Sequence, residues 1–205
     1  MPYFIRIFGR TDVKISTSTI EETLIDANLP VVINIESRSG DDWKSINIGT
    51  RNGDDIVVID KTTVIDDLGR SELEEFKQEI QNCNPKSAVR WITEFFSHVE
   101  VIYALQILDF SDQTTGWDVV TRIKTILWQM TEGIIQADYE GFTNEDGYHI
   151  LWQFSADVTG DWYMAVLDPS NRWIRFKMDL GNDAHRAAFN KGQVPQGVET
   201  ITDFL

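Results

Sequence analysis

The hydrophobic and polar positions fall into short runs that alternate between strand and helix patterns. Tyr3 to Phe8, YFIRIF, reads as a strand. Ser16 to Asn28 reads as a helix that Thr17, Ser18 or Thr19 can cap; Glu21 and Glu22 suit its first turn, and Pro30 follows its stop. VVINIES, from Val31, is β-branched and predicts a strand. GDDW turns the chain into WKSINIGT, where Trp43, Ser45, Asn47 and Gly49 face one way and Lys44, Ile46 and Ile48 the other. Asn52-Gly53 is a hairpin signal, because both residues tolerate positive φ, and DIVVID is the return strand.

Ser71 predicts a helix start with a capping box in which Glu74 reaches back, and Leu73, Phe76, Ile80 and Cys83 form its stripe. Asn84-Pro85 is expected to end that helix and start another, Asn84 as cap and Pro85 at the first helical position. Ala88, Trp91, Ile92, Phe95, Phe96 and Val99 make the second stripe. VEVIYALQILDF, from Val99, is nearly continuously apolar and reads as a central strand with two buried faces. Thr114 to Glu132 is a helix with Val119, Val120, Ile123, Ile126, Leu127 and Met130 on its core face and Gly133 as its left-handed terminator. IIQADYE is a strand and TNEDG a turn; YHILWQF, WYMAVLD and RWIRFKM follow as three strands. VTGD and DPSN join them. Asn182 or Asp183 caps a last short helix ending near Gly192, and an irregular tail follows.

These elements predict an α+β fold with mainly antiparallel sheet and packed helices. The expectation is one compact domain over residues 1–205. VVINIES aligns with IIQADYE, and NGDDIVVID with TGDWYMAVLD, so a degenerate duplication of a βαβββ unit is weighed, with halves 1–68 and 99–180 and a helical connector 71–98.

Trp152, Trp162 and Trp173 bring three of the seven tryptophans into the last strands. Most aromatics there belong to a core, but Trp173 shares its face with Arg175 and Lys177, which makes it a binding candidate or a cation–π partner. Trp117 and Trp128 are three helical turns apart and share a face directed away from the core stripe. That face is either covered by a second layer or open to a partner, and tryptophan is a frequent interface anchor.

Composition changes the picture chiefly through charge. Eighteen basic residues against 33 acidic ones give a net charge of −15. Such a surface repels nucleic acid and anionic membranes and attracts basic proteins. No apolar run has membrane length. Pro2 and Arg6 interrupt any signal-peptide core, so the expected location is cytoplasmic. The single Cys83 excludes an internal disulfide and reads as a small buried hydrophobe.

No phosphate loop, dinucleotide fingerprint, nucleophile elbow or H-E-x-x-H zinc motif occurs. Of the three histidines, His98 sits four residues after Glu94, His149 lies in a strand and His185 opens a helix, so no shared site is implied. Asp41-Asp42, Asp54-Asp55, Asp66-Asp67 and Glu145-Asp146 all fall in turns. Asn144, Asp146 and Gly147 fit three positions of a calcium loop, but Phe142 and Gln153 stand where its outer carboxylates belong, so no metal or cofactor is expected. In a meander alternate loops share an end of the sheet. The Asp41-Asp42 turn and the 60–70 loop should therefore share an end, as should the Glu145-Asp146 turn and Asp168, and a real duplication would make an acidic rim there.

The function expected from these features is a non-enzymatic cytoplasmic interaction module for a basic protein, in the manner of an acidic inhibitor or immunity-type protein. Asp41, Asp42, Glu145, Asp146, Trp117, Trp128 and Trp173 are its candidate binding residues. Two other classes compete: a small-molecule binder or hydrolase-like enzyme with a carboxylate site outside the known motifs, and a self-associating homo-oligomer.

Overall fold

The computed structural model describes residues 3–108 and 114–202. The fold is α+β. Its elements are β1 (Tyr3–Gly9), α1 (Thr17–Asp26), β2 (Val32–Ser39), β3 (Asp42–Gly49), β4 (Asp55–Thr63), α2 (Asp67–Ile80), α3 (Lys86–Phe96), β5 (Val101–Ile107), α4 (Thr114–Met130), β6 (Ile134–Ala137), β7 (Gly141–Phe142), β8 (Asp161–Leu167), β9 (Trp173–Asp179), α5 (Asp183–Asn190) and β10 (Thr200–Ile201). Seven strands form an antiparallel sheet in the order β2-β3-β4-β5-β1-β6-β7, and three form a second in the order β10-β9-β8. Two compact units result: Met1–Ser71 with Val99–Ile135, and Glu72–His98 with Gln136–Leu205. The weighed halves 1–68 and 99–180 do not coincide with these units, since β5 and α4 fall in the first.

In the first unit β5 is the central strand its apolar run implies, in register with β4 on one side and β1 on the other. Asp109 and Phe110, the end of that run, lie outside the described residues, as does Pro2. Ile46, Ile59, Leu105 and Ile5 are cross-strand neighbours along one row, all buried, and α4 lies across β1, β4 and β5. Val119, Val120, Ile123 and Leu127 of α4 have no exposed surface. Each such side chain contributes roughly 1.5–3 kcal/mol of burial. Met130, expected on that face, is instead exposed at the helix end. The next row on the opposite face, Arg6, Ala104, Asp60 and Ser45, is half-buried or exposed, so the period-two alternation records which face the helices cover.

Ser16, just before the three candidates, caps α1: its Oγ accepts from the Thr19 N–H at 3.0 Å. α1 ends where Asn28 takes φ +57° and the Leu29 N–H donates to the Leu24 carbonyl. α2 begins at Asp67, a turn before the predicted Ser71. The Asp66 carbonyl already accepts from the Arg70 N–H, and Glu74 pairs forward with Lys77 instead of reaching back. Asn84 does not cap α3. Its carbonyl accepts from the Trp152 N–H, and Pro85 is the cap residue, joined to Asn84 by a cis peptide.

In the second unit β8 and β9 pair over their full length. Met164, Val166, Phe176 and Met178 pack on one side with Phe154, Leu180 and Phe189 of α5. Asn182 caps α5 through its side chain, accepting from the Ala184 and His185 N–H groups. The tail is not wholly irregular, because β10 pairs with β9. YHILWQF is not a strand either. Its backbone is bonded piecewise: His149 to Tyr163 and Ala165, Ile150 to Phe142, and Trp152 to Asn84. No single neighbour offers it a ladder.

The left-handed terminator of α4 is Glu132, at φ +51°, not Gly133. Gly133 is needed for close approach: a Cβ there would lie 2.9 Å from the Phe8 carbonyl oxygen and 3.0 Å from Ile7 Cγ2. Gly133→Ala should therefore destabilise the fold by about 1–3 kcal/mol, whereas Glu132→Gly should be neutral or stabilising by up to about 1 kcal/mol. Urea unfolding midpoints of the two variants check this, and the reverse order would restore Gly133 as the terminator.

Candidate functional site

The Asp41-Asp42 turn and the 60–70 loop share one end of the first sheet, but most of the carboxylates there are already engaged. Lys61 sits on the core face of β4, two residues beyond Ile59, beside Tyr103 on β5. Its side chain is 7% exposed. The ammonium reaches Asp12 Oδ1 at 2.8 Å and Asp42 Oδ2 at 3.8 Å, and Asp42 also takes Lys14 at 3.5 Å. Lys44 pairs with Asp66 at 3.5 Å, which brings the 60–70 loop to the β3 end as the meander rule requires. Arg70 pairs with Asp67 at 2.6 Å. Trp43 lies against Tyr103 with ring centroids 5.7 Å apart, and its indole N–H donates to the Ile15 carbonyl. Burial, reinforced by the charges of Asp12 and Asp42, pushes the Tyr103 phenol far above its usual range. This is a clamp more than a rim. Asp41 alone of these carboxylates is exposed with no ion pair among the described residues.

The other predicted residues have packing partners. Asp146 pairs with Arg175, whose guanidinium lies 5.6 Å from the centre of the Tyr148 ring. Glu145 is exposed. Trp173, two residues before Arg175 on β9, meets the edge of Trp91 at 5.2 Å and is half-buried. Asp146 and Trp173 are thus brought to one sheet face through Arg175. Asp168 is held by its own turn, accepting from the Ser170 and Arg172 N–H groups and from the Arg172 side chain. Asn144, the calcium-loop candidate, is fully buried, and its Oδ1 accepts from the Asp146 and Tyr148 N–H groups. Trp128 is half-buried and donates its indole N–H to the Gly133 carbonyl at 2.8 Å. Trp117 is 39% exposed, with its ring edge-on to Tyr3.

Cys83 is half-buried, not buried. Burial, then the Glu79 charge, holds its thiol above the usual range, which is opposite to nucleophile activation. His98 pairs with Glu94 at 3.6 Å, and His149 packs between Phe154 and Trp162. Among the described residues no three His, Cys, Asp or Glu side chains are grouped to hold a metal ion, and no helix is long and apolar enough to cross a membrane.

The acidic surface that sequence reasoning missed is the outer face of α1. Glu21, Glu22 and Asp26 are exposed there, and none has an ion pair among the described residues. Ile25 stands in their midst, 57% exposed. α1 carries no lysine, arginine or histidine. Glu22 and Asp26 are four residues apart, a repulsive spacing, and Asp26 adds a negative charge at the negative end of the helix. The signal was present as an amphipathic helix whose polar face holds only one sign of charge. Ala27 and Leu29, just after α1, and Asp118, Thr121, Arg122 and Thr125 of α4 line an open groove of about 290 Å³. At the opposite extreme of polarity, Ile65 and Leu68 are 81% and 70% exposed at the start of α2.

Compared with family models, with curated proteins and with solved structures, the chain finds no match in any of the three.

Removing a carboxylate from the clamp strands a buried ammonium, whereas removing the ammonium leaves carboxylates that water reaches. Asp12→Asn should therefore cost about 1–3 kcal/mol and Lys61→Met less, as read by urea denaturation. A larger loss for Lys61→Met would contradict the clamp. The hydrogen bond from Thr63, opposed by slight desolvation and aided by Lys44, holds the Asp66 carboxyl below its usual range. Its contribution is present above the ordinary carboxylate range and lost as pH falls through the lowered folded value. Thr63→Val should move the Asp66 titration, followed by carboxyl NMR, back upward.

Proposed function

We propose that the chain is a non-enzymatic, cytoplasmic protein-interaction module that binds a basic protein, as an inhibitor or immunity-type protein does. One observation carries this reading: Glu21, Glu22 and Asp26 stand without cations on the outer face of α1, around the exposed Ile25, in a chain of net charge −15. The arrangement opposes the helix's own electrostatics, so stability does not account for it. An acidic face with an apolar centre suits recognition. Long-range charge speeds the encounter with a basic partner by about 10–10³-fold, and a desolvated aliphatic side chain adds contact energy at the centre.

The same charge disfavours nucleic acid. Carboxylates of the sheet end serve a different role in this reading, since Asp12, Asp42, Asp66 and Asp67 are occupied by Lys61, Lys14, Lys44 and Arg70.

The test separates stability from recognition. Proteins retained by the full chain from a lysate of its source organism at low salt are identified, and the retained partner is purified and titrated. The Glu22→Gln/Asp26→Asn double variant should fold as well as the wild type or gain a few tenths of a kcal/mol. It should nevertheless bind the partner about tenfold more weakly at low salt, with the difference vanishing near 0.5 M salt, where the Debye length is only a few ångströms (~4 Å). Retention of no basic protein, or equal affinity for the two forms, would overturn the proposal.

A further inference from the structure

Tyr103 has no exposed surface, and its hydroxyl has no hydrogen-bond partner among the described residues. Leaving a buried hydroxyl in that state is costly, and native interiors rarely do so. The group does not stand among apolar side chains alone. Tyr103 lies directly opposite Lys61 in the pairing of β5 with β4, so the two side chains share a face of the sheet. The Lys61 ammonium meets Asp12 there at 2.8 Å, and the charges of Asp12 and Asp42 both act on the phenol. Trp43 closes one side, its ring 5.7 Å from that of Tyr103. Lys61 carries three N–H donors, yet of its two carboxylates only Asp12 is within hydrogen-bond distance, because Asp42 Oδ2 is 3.8 Å away. A donor on Tyr103, a further donor on Lys61 and an acceptor on Asp42 thus belong to one cluster without bonding one another directly.

We propose that a single internal water molecule occupies the clamp, accepting from the Tyr103 hydroxyl and the Lys61 ammonium and donating to the Asp42 carboxylate. The chemistry of the cluster selects water over an ion. Asp12 and Asp42 stand against Lys61 and Lys14, so these four groups balance, and Glu100 is engaged by the Asp12 N–H. A chloride would accept from Tyr103 and Lys61 but meet both carboxylates. A sodium ion would suit the carboxylates but meet the Lys61 ammonium. Water both accepts and donates, as the mixture requires. Asp42 is half-exposed and gives the molecule its path from solvent, while Tyr103 and Lys61 hold its inner side. Tyr103 comes from β5, Lys61 from β4 and Asp42 from β3, so one water ties three neighbouring strands at the end where Asp12 already anchors the segment after β1.

Magnetic relaxation dispersion of water ¹⁷O counts the molecules that a protein holds for longer than its own tumbling time. The full chain should show such water. Tyr103→Phe, which removes the hydroxyl and keeps the ring, should lower the dispersion by the contribution of one molecule, with thermal melting verifying that the variant folds. Equal dispersions in the two folded proteins would overturn the proposal. A high-resolution crystal structure of the wild type tests the same site without any variant. Expected is a water peak about 2.6–3.1 Å from Tyr103 Oη, Lys61 Nζ and an Asp42 oxygen. No peak, a chloride or sodium ion identified by anomalous scattering or coordination distance, or a Tyr103 hydroxyl bonded directly to a carboxylate would each contradict it.

Discussion

One buried ammonium organises the first unit. Lys61 extends the row that contains Ile59 on the core face of β4, where an apolar residue would otherwise stand. Its charge is tolerable there only because Asp12, from the segment after β1, and Asp42, from the start of β3, converge on it. Three parts of the chain that are far apart in sequence are thereby held at one end of the sheet. The Asp12 N–H is bonded to Glu100 at the entrance to β5, which adds a fourth. Trp43 and Tyr103 close the same end with their rings.

That constraint divides the carboxylates into two populations. Several at the clamp and in the turns are matched with cations: Asp66 with Lys44, Asp67 with Arg70, Asp146 with Arg175, Asp161 with Lys177 and Asp168 with Arg172. With 18 basic residues for 33 acidic ones, many carboxylates must remain outside such pairs. Three of them gather on α1, at a helix end and spacing that local electrostatics disfavours. A locally unfavourable choice of this kind marks a place where something other than folding sets the sequence. Carboxylates that hold cations are accounted for by the fold, and the proposed recognition draws on those of α1.

Much of the fold was legible in the sequence because one element's pattern had one solution. β5 carries apolar residues on both faces and is flanked by β4 and β1; α4 carries a continuous stripe and covers the sheet; Asn182 caps α5 as its side chain allows. Failures occurred where tertiary contacts chose between local options. YHILWQF alternates like a strand, yet its hydrogen-bonding groups are divided among three segments. Ser71 offers a capping box, but the Thr63–Asp66 turn starts the helix earlier. Gly133 looks like a terminator and is instead required by the nearness of Phe8. The site followed the same logic. Acidic pairs in turns were conspicuous, and Asp42 is indeed central, but sequence cannot show that Lys61 and Lys14 meet it. The acids of α1 are spaced through a helix and form no conspicuous pair of aspartates, so their isolation from cations became visible only in three dimensions.

The central claim is that unpaired negative charge on this protein serves encounter with a basic partner. The most direct measurement is the association rate of the wild-type chain with the retained partner as a function of ionic strength. The account predicts a rate that falls steeply, by about tenfold or more, between 0.02 and roughly 0.5 M salt, with the dissociation rate changing far less. An association rate independent of salt would mean that the charge does not guide recognition, and the account would fail.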